Sequence, residues 1–331
     1  MPELRRDPVI GRWVIIAKER GKRPLEFEKV KEANSVQGCP FCPGNEKFTP
    51  SEITAYGKAG RHKDSGEWTL RVVPNKYPVL QIEGSLNRQG EGIYDKMNGV
   101  GAHEVIIESP DHFKEIPELT KRQVEDVICM YKERIIDLKK DSRLEFILVF
   151  KNRGAQAGAT LSHPHSQLIA TPIIPKRAKE EIAGAKNHYE YKERCVYCDI
   201  LGQEASSLSR VVAENEHFFA FCPFASRFPF ETWILPKFHS SKFEDIQKNE
   251  VGNFAGILQA VLGRLDKVLD RPPFNFIIHN SPLKDPHVPY FHWYLEIIPK
   301  LIHVAGFEWG TGFYVNPTPP EEAAKFLREA E

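Results

Sequence analysis

Six cysteines and twelve histidines are spaced in a way that could do metal and phosphoryl chemistry. Cys39-Pro-Phe-Cys42 and Cys195-Val-Tyr-Cys198 are two Cys-x-x-Cys pairs, with Cys129 and Cys222 left over. Such a pair either grips a metal ion or cycles as a redox dithiol. The redox form wants its pair at the opening of a helix, whereas Cys42 runs into Pro43-Gly-Asn-Glu, a turn sequence, so metal is the better reading. His112 and His163 complete a Cys2His2 set with Cys39 and Cys42, and His239 and His292 complete one with Cys195 and Cys198. Zinc prefers such sets, and four protein ligands leave no open position for water. Two structural zinc ions per chain are therefore expected, with the chemistry elsewhere. Cys129 and Cys222 read as buried thiols. His62, His188, His217 and His303 read as ordinary imidazoles.

The reactive candidate is His165, in Ser162-His163-Pro-His165-Ser-Gln167. On an extended strand His163, His165 and Gln167 share one face, because side chains alternate. If His163 binds metal, His165 is held two residues from a rigid anchor. Upstream lies Asn152-Arg-Gly-Ala-Gln-Ala-Gly158-Ala-Thr160, small residues with amides and a hydroxyl that could bring backbone N–H groups against an anionic oxygen. A neutral imidazole beside such a loop points to attack on phosphorus. The plainer alternative is a motif that ends a strand and supplies two metal ligands. Arg20 and Arg23 add phosphate-binding potential, or form a solvated face.

These residues are positioned by a repeat. Glu104-Val-Ile-Ile-Glu-Ser-Pro-Asp-His112 matches Glu231-Thr-Trp-Ile-Leu-Pro-Lys-Phe-His239 at an offset of 127, each a short strand running into a turn that ends in histidine. An amphipathic helix follows each, with Val124, Val127, Ile128, Tyr131, Ile135 and Leu138 matching Val251, Phe254, Ala255, Leu258, Leu262 and Leu265. Thr120 and Gln123 are placed as a capping box. The strands Phe146–Phe150 and Phe274–Ile278 come next. The same offset then sets His165 on His292, Pro172 on Pro299 and His163 on Tyr290. After the cysteine pairs, Arg71-Val-Val and Arg210-Val-Val each open a strand. The expected fold class is α+β: two repeats, each an antiparallel sheet with a long helix, packed as a pseudo-symmetric pair over residues 1–175 and 176–331. Pro175-Lys-Arg-Ala-Lys-Glu-Glu reads as a linker or a charged helix start, and the Gly-rich stretch 83–101 as a loop.

The chain has 331 residues, 45 Lys+Arg against 45 Asp+Glu, and a pI near 7.2. Zero net charge argues against a protein that holds nucleic acid by neutralising phosphates. The longest strongly apolar stretch, residues 146–150, is far below the ~20 residues of a membrane span, and no apolar signal region opens the chain. A soluble, cytoplasmic protein is expected.

The motifs resemble the galactose-1-phosphate uridylyltransferase family of the histidine triad superfamily. The resemblance runs through Arg6-Asp-Pro-Val-Ile-Gly-Arg-Trp to Pro24, Cys39-Pro-Phe-Cys42, Ser109-Pro-Asp-His112, Asn152 to Gln167, and Phe230 to His239. It implies histidine-triad-like units, and catalysis in which His165 attacks the α-phosphorus of a nucleotide sugar such as UDP-glucose and expels hexose 1-phosphate. The nucleotidyl-histidine then passes its nucleotide to a second sugar phosphate such as galactose 1-phosphate. Gln167 and Thr160 would hold phosphoryl oxygens; Arg20, Arg23, Asn152 and Gly158 match the phosphate and sugar site, and Asn75 a position near the nucleoside. Phe307 to Asn316, with Glu308 and Asn316, resembles a loop contacting the hexose across a homodimer. Some members carry an iron site of one Glu and three His; Glu181 and His279 match two of those positions, while Tyr294 and Glu296 occupy the others. The second Cys-x-x-Cys resembles two-zinc members, including ADP-glucose phosphorylase. Asn75-Lys76-Tyr77 departs from the family's Asn-Asp-Phe near the base, and Ala159 replaces a residue that is often Cys. Two alternatives stand: transfer of AMP from ADP-glucose to inorganic phosphate, and a non-catalytic zinc-binding module.

Overall fold

The computed structural model describes residues 1–20, 36–285 and 288–330, apart from the Arg20 side chain. In chain order its elements are β1 (Glu3–Arg6), β2 (Trp13–Ile16), β3 (Thr54–Gly57), β4 (Trp68–Pro74), β5 (Gln89–Glu91), β6 (Tyr94–Lys96), β7 (Ala102–Ile107), α1 (Lys121–Leu138), β8 (Phe146–Arg153) and β9 (His165–Thr171). There follow α2 (Lys176–Lys192), α3 (Val196–Ser207), β10 (Val211–Glu214), β11 (Phe218–Phe221), β12 (Thr232–Pro236), α4 (Lys248–Leu269), β13 (Phe274–His279) and β14 (Tyr294–Pro299). The chain ends with α5 (Gly306–Thr311), β15 (Tyr314–Asn316) and α6 (Pro320–Arg328).

Sequence dictates the two long helices directly. Thr120 accepts the Gln123 N–H and Gln123 reaches back to Thr120, closing the expected capping box of α1. The apolar stripes of α1 and α4 are buried at all twelve expected positions, and the helices pack against each other over one face of the main sheet. On β8 and β9 alternation decides what meets them: Ile147, Val149, Leu168 and Ala170 join the helix-covered core, while His165 and Gln167 take the opposite face.

The sheet differs from two separate ones. It is a single antiparallel sheet of ten strands, ordered β10-β11-β12-β14-β13-β8-β9-β7-β4-β3, because β13 pairs with β8 from Phe274↔Arg153 to Ile278↔Val149. From either edge the long helix lies in sequence before the two strands nearest the β8–β13 seam. The edge place of β3 is taken by β10, so the strand opened by Arg210 answers to β3 and not to the Arg71 strand β4. Outside the main sheet, β1 and β2 are antiparallel and β15 runs parallel to β2. Within 83–101 the chain forms the β5–β6 hairpin, and the charged segment after Pro175 is the helix α2 rather than a linker. Among the described residues no helix is long and apolar enough to cross a membrane.

Candidate active site and metal centres

Each cysteine pair meets its two histidines. Cys42 Sγ lies 3.3 Å from His112 Nδ1 and 3.6 Å from His163 Nδ1, and Cys39 Sγ lies 3.7 Å from His163 Nδ1. In the second half Cys198 Sγ lies 3.5 Å from His239 Nδ1 and 3.7 Å from His292 Nδ1. Within each set the four ligand atoms lie within 4.8 Å of one another. A tetrahedral ion with metal–sulfur and metal–nitrogen bonds of about 2.3 and 2.05 Å requires S···N edges of roughly 3.6 Å, so both sets fit a metal ion. Outer partners set the ring orientation in the first: His163 Nε2–H donates to the Ser109 carbonyl at 2.8 Å, and His112 Nε2 meets the Ser162 hydroxyl at 3.0 Å. The His163 Nδ1 lone pair is thereby left for an ion, and that of His112 likewise when its Nε2–H donates to the Ser162 hydroxyl.

The ligand roles correct the repeat register. His292 does in the second set what His163 does in the first, so a slip of two residues enters between α4 and β14. The counterpart of His165 is then Tyr294, where β14 opens as β9 opens on His165, and the counterpart of Gln167 is Glu296. The matches of His165 with His292 and of His163 with Tyr290 do not hold in three dimensions.

His165 is 7% exposed and its Nδ1–H donates to the His163 carbonyl at 2.7 Å, which leaves the Nε2 lone pair free. Burial pushes its pKa down to about 4, with nearby Lys151 adding to the fall, so the ring is neutral near pH 7. Phe41, from within the first Cys-x-x-Cys, sets its ring edgewise against His165 at 5.3 Å between centroids. His165, Thr160 and Leu161 stand where two cavities meet. One, of about 280 Å³, is walled by Glu115, Lys151, Asn152 and the 153–162 loop. The other, of about 460 Å³, is lined by Pro40, Phe41, Phe48, Asn75, Tyr77 and Gln167 among others.

The loop between β8 and β9 is built on glycine. Gly154 (φ 86°) and Gly158 (φ 89°) flank one 3₁₀ turn in conformations that disfavour a side chain. The N–H groups of Ala157, Gly158 and Ala159 all close that turn onto Gly154 and Ala155 carbonyls, so these three are spent and form no phosphate nest. The loop's contribution is its side chains. Asn152 is oriented from the other half of the molecule: Asn275 Nδ2–H donates to Asn152 Oδ1 at 2.7 Å and to the Ala157 carbonyl at 2.8 Å. This turns the Asn152 NH2 past Gly158, whose missing Cβ would sit 3.6 Å from it. Asn275, Phe41, Lys151 and Glu115 are site residues that motif reading missed; only the strand pairing brings Asn275 opposite Asn152.

Behind the site, Lys151 Nζ pairs with Glu108 at 2.7 Å and Glu115 at 3.1 Å, and Glu108 accepts the Ser166 hydroxyl, which also bonds Tyr131. The arrangement supports the strand that carries His165.

Of the other expected residues, Arg23 and the Arg20 side chain lie outside the described residues. Glu308 caps α5 by accepting the Ala305 N–H, and neither it nor Asn316 lines either cavity. Asn316 is fully buried, its NH2 donating to the Ser226 and Phe228 carbonyls and its Oδ1 accepting the Thr318 N–H. That amide has nothing left for a hexose in this chain, which corrects its expected contact.

In the second half the matching strand is closed. His279 stacks on Tyr294 with centroids 4.2 Å apart, and its nitrogens lie 3.0 Å from Glu181 and 3.1 Å from Glu296. Arg177 bonds both carboxylates at 2.9 and 3.0 Å, and Arg227 reaches Glu296 at 2.5 Å. Burial alone would lower the His279 pKa, yet Glu181 and Glu296 raise it. Two guanidinium groups fill what the Glu and His positions alone would leave as a cation site.

A family model for the N-terminal domain of galactose-1-phosphate uridyl transferase matches residues 1–175, and one for a domain of unknown function (DUF4921) matches 100–329. The chain is 39% identical to the ADP-glucose phosphorylase of Arabidopsis thaliana over 99% of this chain and 93% of that one. It is 33% identical to the galactose-1-phosphate uridylyltransferase of Thermotoga maritima over 100% and 99%. The crystal structure of the Arabidopsis ADP-glucose phosphorylase with bound ADP-glucose superposes with a TM-score of 0.85 at 38% identity, covering 99% of each chain. A uridylyltransferase structure gives 0.77 at 27% identity, covering 100% and 98%. With its cysteine–histidine clusters and buried histidine strand, this chain belongs to the galactose-1-phosphate uridylyltransferase family.

Proposed function

We propose that this chain is a nucleotidyltransferase that moves a nucleoside monophosphate from a nucleotide sugar to a phosphate acceptor through a covalent bond to His165. The observation that carries this is the His165 ring: buried, neutral, its Nδ1–H tied to a carbonyl, and standing where two cavities join. In the first step the Nε2 lone pair forms a bond to the α-phosphorus while the bond from that phosphorus to the bridging oxygen breaks. Hexose 1-phosphate departs with that electron pair. In the second step an acceptor phosphate oxygen attacks the same phosphorus and the N–P bond breaks, restoring the imidazole. The hydrogen stays on Nδ1, donated to the His163 carbonyl throughout, so no proton is transferred. Gln167 and Thr160 donate to the non-bridging oxygens, whose charge grows as the leaving group departs. Asn152 and the 280 Å³ cavity take the departing and accepting phosphates, and the 460 Å³ cavity beside Asn75 takes the nucleoside. Glu308 is assigned to the hexose through a homodimer contact.

Cys39, Cys42, His112 and His163, and likewise Cys195, Cys198, His239 and His292, would each hold a structural zinc ion, and the halves 1–175 and 176–331 are two histidine-triad-like units. Zinc here fixes ligand strands and takes no part in either step. The uridylyl reading, from UDP-glucose to galactose 1-phosphate, rests on the N-terminal family model and the Thermotoga relative. The adenylyl reading, from ADP-glucose to inorganic phosphate, rests on the 39% identity to the Arabidopsis relative, and Lys76-Tyr77 in the nucleoside cavity favours it over the family's usual Asp-Phe. Mixing the protein separately with UDP-glucose and ADP-glucose labelled in the nucleotide, then denaturing it rapidly, decides between them. The substrate leaves its label on the protein, and label from neither would overturn the covalent mechanism and leave the zinc-binding module as the reading.

A further inference from the structure

Within the larger cavity two amide side chains, Asn75 just past the end of β4 and Gln167 on β9, meet at one imidazole. That imidazole is His103, half-buried on β7 and a member of neither metal cluster. Because β7 pairs with β9 through Val105↔Gln167 and His103↔Ile169, His103 shares the face of His165 and Gln167 and sits diagonally across from Gln167.

Two of its three polar contacts, with the Val79 N–H and the Gln167 oxygen, set one tautomer. His103 Nδ1 lies 3.3 Å from the Val79 backbone N–H, which can only donate, so Nδ1 accepts and the ring hydrogen is on Nε2. Nε2–H then donates to Gln167 Oε1 at 2.8 Å. Asn75 Oδ1 accepts the Tyr77 N–H at 2.9 Å, which turns its NH2 toward the same ring, 3.1 Å from Nε2. A ring nitrogen that carries hydrogen cannot accept it. Gln167 therefore has its oxygen committed to protein and its hydrogens left for a ligand, while the Asn75 NH2, facing the ring N–H, makes no hydrogen bond there.

We infer that His103 is a positioning residue that sets the polarity of this wall, so that Gln167 presents only donors to the substrate. The consequence depends on the nucleotidyl transfer proposed above. A carboxamide can turn over, exchanging oxygen for NH2. A flipped Gln167 would set a carbonyl oxygen against a phosphoryl oxygen whose negative charge is rising, which opposes the reaction where the correct face assists it. Held by Nε2–H, Gln167 shows its NH2 to phosphorus-bound oxygen. His103 itself touches no reacting atom.

The test is single-turnover nucleotidylation with whichever of UDP-glucose or ADP-glucose labels the wild-type protein, following protein-bound nucleotide after rapid quenching. His103→Leu removes the donor, His103→Gln restores an N–H near the same place, and each is also placed on Gln167→Ala. Substrate concentration is varied to separate binding from the bond-making rate, and metal content and thermal midpoint are recorded for each variant. The expected result is nucleotidylation slowed roughly 10–100-fold in His103→Leu at saturating substrate, as for loss of other orienting partners. Restoration to within about fivefold in His103→Gln, and no further loss from His103→Leu once Gln167 is Ala, complete the prediction. Wild-type rates in His103→Leu, or an equal loss with and without Gln167, would overturn the assignment. A wild-type protein that takes no label would instead overturn the nucleotidyl transfer itself.

Discussion

The strand that opens on His165 and the strand that opens on Tyr294 take matching places on either side of the β8–β13 seam, each beside a Cys2His2 cluster, yet only the first faces open space. His165 has a free lone pair at the junction of two cavities, while Tyr294 is stacked on His279 and its neighbour Glu296 is held by two arginines. On the proposed function, a strand beside a cluster able to hold a metal ion is a scaffold and not by itself a catalyst. Chemistry needs in addition an imidazole whose one nitrogen is tied and whose other is free, and room for a phosphate against it.

The comparison is broken most sharply by exchanging what the two strands lack. His165→Ala should lower turnover at least about 1000-fold, as loss of a nucleophile does, with both metal ions retained. Tyr294→Phe should leave kcat within about twofold, since no substrate group is assigned to it. Equal losses from the two substitutions, by steady-state kinetics, would erase the distinction.

Metal loss should also divide the halves. Cys39→Ser and His163→Ala free the loop that seats Phe41 on His165 and are expected to cost roughly 10–100-fold in activity. Cys195→Ser should remove about one metal ion of two and lower the thermal midpoint with kcat largely kept. Elemental analysis beside kinetics checks both.

The buried ionic network makes the second half electrostatically fragile. Arg227 is 5% and Glu296 0% exposed, so Arg227→Met takes one of two guanidinium partners from a buried carboxylate and should cost about 3–5 kcal/mol in denaturant unfolding with little change in kcat. Burial alone would raise Glu181, but His279 and Arg177 hold its pKa down to about 2. Its contribution is present above the usual carboxylate range and lost as pH falls through about 2. His279, held above the usual imidazole range, contributes below that range and loses its contribution as pH rises through its raised pKa. Stability of the wild type against pH, compared with His279→Ala, should show both limbs flattened in the variant. The smallest effect is expected from Gly158→Ala, where φ is 89° and the strain is about 1–2 kcal/mol, read as a small loss of stability and a raised KM.

Much of this division was legible in residue types and spacing. The eight cysteine and histidine ligands group in the fold as their spacing proposes, and the two helix stripes bury the residues their periodicity names. Strand alternation put His165 and Gln167 on one face, as found. What escaped the sequence depended on register between distant segments. The two-residue slip before β14 leaves proline and histidine in apparently matching places while moving Tyr294 to the counterpart of His165. The join of the halves into one sheet, and with it Asn275 orienting Asn152, comes from a pairing more than 120 residues apart that no local pattern announces. The glycine loop shows the opposite error: its composition suits a phosphate nest, but its own 3₁₀ turn spends the amides first.

The central claim, one reactive strand and one silent strand, is tested most directly by the covalent adduct itself. After brief exposure to the labelling nucleotide sugar and quenching, intact-mass measurement followed by peptide mapping should show one nucleoside monophosphate per chain, bonded to His165. An adduct on any residue of the second half, on His163, or in two copies per chain would contradict the account.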